Sequence, residues 1–281
     1  MRILVTGGDG MVGSAVVRHL LAAGHDVTTL TLPGVTPHAG VSPKKVRRVF
    51  GDARSTEAVT DALDGVGAVA HLAAIPNPLN DPAPVVFANN TQATFTVLWT
   101  AASLGVRRFA IASSVSAGGR SFNPHRPLPP AFPVDETMPA DLGDPYGLSK
   151  HVDELTLGTV CRRFGAAGVA LRLPLMIAPS NVELMRRADL ASEVGNGWAW
   201  LDVRDGAEAF RLALTVPLTG AHVVHLAAAE IFPDGETEDL LDRHAPGVPR
   251  RRSFAAREVP VDTGRARALL GFEPRYRVPS P

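Results

Sequence analysis

Short apolar runs alternate with amphipathic stretches through the first 175 residues. The runs predict strands at about Arg2 to Thr6, Asp26 to Thr31, Val46 to Gly51, Ala68 to Leu72, Arg108 to Ala112 and Val169 to Arg172. Buried strands that alternate with amphipathic helices are the arrangement of a parallel sheet flanked by helices. The intervening stretches predict helices from about Met11 to Ala23, stopping at Gly24, and from about Ser55, with Thr56 and Glu57 in the first turn. Two more are expected between Asp81 and Leu104, opened by Pro82 and Pro84, and from Pro145 to Phe164. The alternation is that of right-handed βαβ units and predicts an α/β fold, a doubly wound parallel sheet, over residues 1–175. After Pro174 it weakens. Helical segments at Val182 to Glu193, Val203 to Val216, Thr237 to His244 and Asp262 to Leu270, with a strand at His222 to Leu226, predict a small C-terminal substrate lobe over 176–281, some segments of which return to the sheet. Two loops stand out, Pro33 to Lys45 and the proline-rich Gly118 to Pro133. The second directly follows a strand and is expected to be a lid.

Composition narrows the class. With 281 residues, 45% of them apolar and 20% charged, the chain can bury a large core. Lys+Arg and Asp+Glu are equal at 28 each, so no charge excess points to nucleic acid or an anionic membrane surface. The lone Cys161 excludes an intrachain disulfide and a cysteine-based zinc site, and it is expected to be packed and inert. His222 and His225 fall on opposite faces of one strand, and His71 reads as a hydrogen-bonded core residue, so no metal is expected. The opening MRILVTGG is a strand rather than a signal peptide, and no apolar run approaches the roughly 20 residues of a membrane span. A cytoplasmic location follows as the expectation.

The segment Thr6-Gly7-Gly8-Asp9-Gly10-Met11-Val12-Gly13 joins the first strand to the first helix. Gly7 allows a tight turn, Gly10 lets the backbone approach a pyrophosphate, Gly13 permits close packing, and the helix N-terminus offers N–H groups to the anion. The fold is therefore expected to be of Rossmann type with a dinucleotide at this loop. Where an acidic residue often receives the adenosine ribose, this chain has Thr31-Leu32. Asp9 would repel a 2′-phosphate, whereas Lys44 and Lys45 would attract one. The cofactor is expected to be NAD or NADP, with Asp9 favouring NAD.

Tyr146 and Lys150 lie four apart on one helical face. A phenol of pKa about 10 is a poor base at neutral pH, and an adjacent ammonium favours the phenolate. Random placement of the chain's two tyrosines and three lysines yields such a spacing roughly 0.02 times per chain, so the pair is informative here. Ser113 and Ser114 end the fifth strand, at the carboxyl edge where open α/β sheets bind ligands. A hydroxyl there would stabilise charge developing on a substrate oxygen.

Together, TGGDGMVG, GDAR with Asp52, HLAA at His71 to Ala74, NTQAT at Asn90 to Thr94, ASSVS at Ala112 to Ser116, DPYGLSK at Asp144 to Lys150 and the late DTGRARALLGFEP resemble the extended short-chain dehydrogenase/reductases, the NAD-dependent epimerase/dehydratase family. The resemblance implies that Tyr146 is the general acid or base, that Lys150 tunes it and holds the nicotinamide ribose, and that Ser114 polarises the reacting oxygen. It places Gly7, Gly10, Met11 and Val12 along the pyrophosphate, Thr31 at the adenosine ribose and Asp52 and Ala53 at the adenine. Leu72, Ala73, Ala74 and Asn90 then lie along the cofactor. Such enzymes commonly follow their sixth strand with an Asn that helps bind a nucleotide diphosphate. Here Leu175 holds that place, and Trp198 holds that of an arginine further on, so the sugar-nucleotide apparatus is expected to be absent or shortened. Ser114-Val115-Ser116 also lacks the Asp-Glu pair of the dehydratases. The compact lobe is similar to that of uronate and aldose dehydrogenases. The resemblance thus implies NAD(P)-dependent hydride transfer on a small alcohol or carbonyl, a free sugar or sugar acid foremost, with Ser116, Arg120 and Arg172, and also His125 and Arg126, as candidate substrate contacts. The alternatives are a sugar-nucleotide epimerase and a non-catalytic dinucleotide sensor. Family members pair through two long helices, so a homodimer is expected.

Overall fold

The structure, a computed structural model, describes residues 1–35, 46–186 and 189–278. Its centre is a seven-stranded sheet of β1 (Arg2–Thr6), β2 (Asp26–Thr31), β3 (Val46–Phe50), β4 (Ala68–His71), β5 (Arg108–Ser114), β6 (Ala167–Leu173) and β9 (Gly220–His225). They are all parallel, in the order β3-β2-β1-β4-β5-β6-β9. The chain starts in the middle, runs outward to β3 and returns to lay β4 on the other side of β1, with Thr6 beside His71. The order reverses there, and such a reversal opens a crevice at the carboxyl ends of the strands.

Side chains alternate across this sheet with a period of two, and each face receives its own helices. Ile3 and Val5 point into one cluster, with Val16 and Leu20 of α1 (Met11–Ala22), Phe210 and Leu214 of α7 (Val203–Thr215) and Leu270 of α9 (Gly264–Leu270). Leu4, Phe109 and Ile111 point into the other, with Val59 of α2 (Thr56–Ala62), Val97 and Leu98 of α3 (Ala83–Ser103) and Leu157 of α4 (Pro145–Phe164). The doubly wound α/β expectation holds, and the C-terminal segments α7, β9 and α9 complete the two-layered sheet rather than standing apart from it.

A third cluster lies outside the two faces of the sheet, in which Trp198, Trp200, Ile231, Leu241 and Phe254 pack with Phe132 and Val134. Phe132 belongs to the proline-rich stretch after β5, and Val134 directly follows it. Far from hanging free, this stretch is tied down at its distal end: Phe132 N–H donates to the Pro249 carbonyl, Val134 N–H to that of Pro260, and Arg251 and Asp262 N–H donate back to Phe132 and Val134. Val182 to Glu193 is not one helix, since two single turns, α5 (Glu183–Arg186) and α6 (Leu190–Glu193), occupy it. A two-stranded parallel sheet of β7 (Leu175–Ile177) and β8 (Trp200–Asp202) was not foreseen, because three-residue strands are too short to show a period. α8 (Thr237–His244) matches its predicted bounds. Among the described residues no helix is long and apolar enough to cross a membrane, and no His, Cys, Asp and Glu group gathers to hold a metal.

Two buried histidines couple this fold to pH. Burial pushes His71 and His225 down to about 3, with the neighbouring Lys150 cation adding to the effect at His71 and Arg172 and Arg120 at His225. Both are neutral when folded and free to protonate near 6.5 when unfolded. The unfolded chain therefore binds more protons as pH falls below 6.5, and stability is lost in that direction. Each histidine is expected to contribute a slope of about 1.4 kcal/mol per pH unit between pH 6.5 and the acid limb. Urea unfolding at pH 7 and pH 5 measures it, and an unchanged stability would contradict the buried neutral state.

Candidate active site

The crevice above the β1/β4 reversal is a cleft of about 520 Å³, lined by Gly7, Gly10, Met11 and Val12 from the glycine loop and α1, by Leu72, Ala74 and Asn77 after β4, and by Ser114 and Ser116 after β5. Tyr146 and Lys150 of α4 close one side; Leu173 to Met176 and Glu193 close the other. The glycine loop, the serines and the Tyr/Lys pair, far apart in the chain, share this one cavity.

The loop is compact because its glycines touch. A Cβ at Gly13 would stand 2.1 Å from the Gly7 carbonyl oxygen, so the first turn of α1 lies against the loop itself. α1 begins at Gly10 without a capping side chain, which leaves its first N–H groups for an anion in the cleft. A dinucleotide's pyrophosphate fits this cradle. At the adenosine end, Thr31 closes β2 with a buried Oγ1 that has no partner. Beside it the structure adds a residue that sequence reasoning missed. Arg48 of β3 reaches Asp9 at 3.1 Å, and Asp9 Oδ2 and Arg48 Nε are both buried without a hydrogen-bond partner. Orphaned polar atoms of this kind suit the hydroxyls of a bound ribose. Lys44 and Lys45, the cations that the sequence offers to a 2′-phosphate, lie outside the described residues.

α4 is placed by its cap and by a close approach. Asp144 accepts the Gly147 N–H at 2.7 Å, Pro145 opens the helix, and a Cβ at Gly147 would come within 2.6 Å of the Ser116 carbonyl. The backbone contact carries Tyr146 to the serines at the end of β5. Tyr146 is buried, with Phe122 edge-on at 5.9 Å and Lys150 Nζ 5.9 Å from its ring. Ser114 Oγ accepts the Ser116 N–H and donates to Ser116 Oγ, both at 3.1 Å, so a substrate oxygen would take over a hydroxyl already aimed by a neighbour. Lys150 Nζ donates to the Ala112 carbonyl at 3.0 Å and to Asp153 Oδ2 at 3.1 Å.

Several other expected site residues occupy supporting places. Asn90 is wholly buried and spends its amide on Ile75 N–H and carbonyl and on Ser149 Oγ, clamping the segment after β4 to α4. Ala73 N–H donates to Thr6 Oγ1, and Ala53 packs among Leu4, Leu30 and Val59. Asp52 makes a bidentate pair with Arg54, which holds its carboxyl below the usual range. Arg172 does not line the cleft. Its guanidinium makes two 2.9 Å bonds to Glu154 within the protein, and Ser113 Oγ donates to the same carboxylate at 2.5 Å. Arg120 is buried against Gly118, whose carbonyl it bonds at 3.2 Å, and His125 and Arg126 are exposed. Asn77, Ser116, Ser121 and Glu193 also line the cleft. Burial and the nearby Asp189 push the Glu193 carboxyl up. Ser116 was among the expected contacts; Asn77, Ser121 and Glu193 were not, because isolated polar residues carry no period that would mark them in the sequence.

The doubly wound parallel sheet, with its glycine cradle at the crevice, makes this a Rossmann-type protein. The chain belongs to the NAD dependent epimerase/dehydratase family, whose profile matches residues 3–229. It is 30% identical over 177 residues to UDP-glucose 4-epimerase of Lacticaseibacillus casei, covering 61% of this chain and 50% of that enzyme. It is 32% identical over 188 residues to D-erythronate dehydrogenase of Cupriavidus necator, covering 62% and 55%. The chain thus spans about half the length of the curated relatives it matches. Among solved structures, a short-chain dehydrogenase/reductase superfamily protein from Agrobacterium tumefaciens with bound NAD aligns at a TM-score of 0.72 and 25% identity, over 99% of this chain and 94% of that one.

Proposed function

We propose that this chain is a cytoplasmic, NAD-dependent oxidoreductase that moves hydride between nicotinamide and a small alcohol or carbonyl substrate, with an uncharged sugar ahead of a sugar acid. The observation that carries the proposal is the convergence of Ser114, Tyr146 and Lys150 on the cleft that also holds the glycine cradle. Bound NAD supplies the hydride acceptor. In the oxidation direction Tyr146 Oη takes the proton of the substrate hydroxyl, Lys150 holds the nicotinamide ribose, and Ser114 Oγ holds the same substrate oxygen. The preference for a neutral substrate rests on Arg172 and Arg120, the candidate carboxylate receptors, being turned to internal partners, while Ser116, Ser121, Asn77 and Glu193 offer hydroxyl contacts. A screen of aldoses, uronates, ketones and sugar nucleotides with NAD and NADP, followed by the absorbance of reduced nicotinamide, tests it. Turnover of a sugar nucleotide without net nicotinamide reduction would replace the dehydrogenase with an epimerase.

The Asp9–Arg48 pair supports NAD over NADP. Asp9 holds Arg48 and puts a carboxylate where a 2′-phosphate would go; without Asp9 the guanidinium is free to receive that phosphate. Asp9→Ala is expected to raise kcat/KM for NADP relative to NAD by about tenfold or more. An unchanged ratio would remove Asp9 from cofactor choice.

The outer faces of α3 and α4 expose Phe95, Leu148 and Leu155, with Trp99 stacked on Phe95 at 5.2 Å. We propose that a second copy of the chain covers them. Sedimentation is expected to give a dimer for the natural protein and a monomer for Phe95→Glu/Leu155→Glu; a monomeric natural protein would refute the proposal.

A further inference from the structure

Lys150 stands in nearly dry surroundings, 3% exposed, and its neighbour one turn on, Asp153, is 1% exposed. An ammonium has three N–H donors. Two are spent on the Ala112 carbonyl and on Asp153 Oδ2, leaving the third for the cleft that Lys150 lines. On the side of α3, a directed row of hydrogen bonds leads to Thr94, whose hydroxyl helps hold the Asp153 carboxyl down. Thr6 Oγ1 already accepts the N–H groups of Leu72 and Ala73, so its proton goes to His71 Nδ1 at 2.8 Å. His71 then carries its own proton on Nε2, which donates to Thr94 Oγ1 at 3.1 Å and leaves the Thr94 hydroxyl proton to face Asp153. Asp153 Oδ1 is buried without a hydrogen-bond partner. The row thus runs from Thr6 at the glycine loop through β4 to Thr94 on α3.

We propose that Asp153 is a positioning residue of the active site, the counter-ion that keeps Lys150 charged and its third N–H aimed at the cofactor ribose and Tyr146. This rests on the oxidoreductase reading given above. The charges around Lys150 are few. Tyr146, Asp153 and Glu154 face it from α4, the neutral His71 faces it from β4, and Arg172 of β6 already saturates Glu154. α3 contributes the uncharged Thr94 and β5 the Ala112 carbonyl. Asp153 is therefore the one carboxylate among these with a hydrogen bond to the ammonium. Burial pulls the Lys150 pKa down, and the anionic neighbours, Asp153 first, more than restore it. Without Asp153 burial prevails, and the ammonium loses its proton at a lower pH.

The chain's composition makes this measurable, since Lys44 and Lys45 are the only other lysines. In the full chain grown with ¹³Cε-labelled lysine, the resonance missing from Lys150→Met identifies Lys150. In the natural protein it is expected to titrate above Lys44 and Lys45, and in Asp153→Asn to fall by about one to two pH units. A Lys150 resonance that titrates at or below the other two in the natural protein overturns the proposal, even if the variant fails to fold. So does one that stays in place in a folded Asp153→Asn. NADH binding, read by fluorescence from pH 7 to pH 10, supplies the functional arm. Asp153→Asn is expected to lose affinity about tenfold across a range where the natural protein holds it, following the lysine midpoint. If the natural protein binds no NADH, the oxidoreductase reading fails, while the lysine titration still decides the role of Asp153.

Discussion

Tyr146→Phe is expected to lower kcat by about 100- to 10,000-fold, the usual contribution of a positioned acid or base, while NADH binding and the folded state are retained. The expectation of an intact fold follows from where the ring sits. Phenylalanine keeps the edge-on contact with Phe122 and the ring contact with Lys150 Nζ, and only the hydroxyl, the group proposed to exchange a proton with substrate, is lost. Initial rates on the substrate found by the screen, with NADH fluorescence titration as the control, measure it. A phenylalanine variant within a factor of two of the natural rate would mean that another group handles the proton. Because the glycine cradle and Lys150 are untouched, a loss of NADH binding is not expected from this change.

The second large effect concerns stability. Glu154→Gln leaves the Arg172 guanidinium buried with its counter-ion gone; the two side chains are each only 7% exposed. Breaking one side of such a pair typically costs about 3–5 kcal/mol, a large share of the about 5–15 kcal/mol that holds a domain folded. Unfolding in urea is expected to show that loss. Replacing both partners with apolar residues, Glu154→Leu with Arg172→Met, is expected to recover most of it, because the cost lies in the unpaired charge rather than in the absent attraction. A Glu154→Gln variant as stable as the natural protein would show that water reaches the guanidinium. Glu154 also accepts from Ser113, next to Ser114, so the damage is expected to reach the cleft as a loss of kcat that the double replacement only partly repairs.

How well the chain's own pattern foretold these elements depended on length. β1, β2, α4 and α8 have their predicted bounds, because each is long enough, or sharply enough capped, for a period and a boundary residue to show. β7 and β8 have three residues each and show neither. Val182 to Glu193 has a helical period that is interrupted in space by two separate turns, α5 and α6, the second with its own cap at Asp189. The glycine loop and Tyr146-Gly147-Leu148-Ser149-Lys150 were readable because their chemistry lies within a few consecutive residues.

Groups brought together across the sheet were not readable in that way. Arg172 reads as an ionic residue free for a carboxylate substrate until β6 is laid beside α4 and Glu154 takes it. Asp9 reads as a lone carboxylate until β3 brings Arg48 to it. Asn90 reads as a cofactor contact until α3 is seated and its amide is used up on Ile75 and Ser149. By itself the sequence determined the kind of sheet, the glycine cradle and the Tyr/Lys pair, since these follow from local periods and from residues one helical turn apart. Only the tertiary structure decided which charges meet the cleft and which are buried against each other. Electrostatic partnership depends on distances of about 3 Å between segments apart in the chain, as between Asp9 after β1 and Arg48 of β3 at 3.1 Å, and no local pattern encodes them.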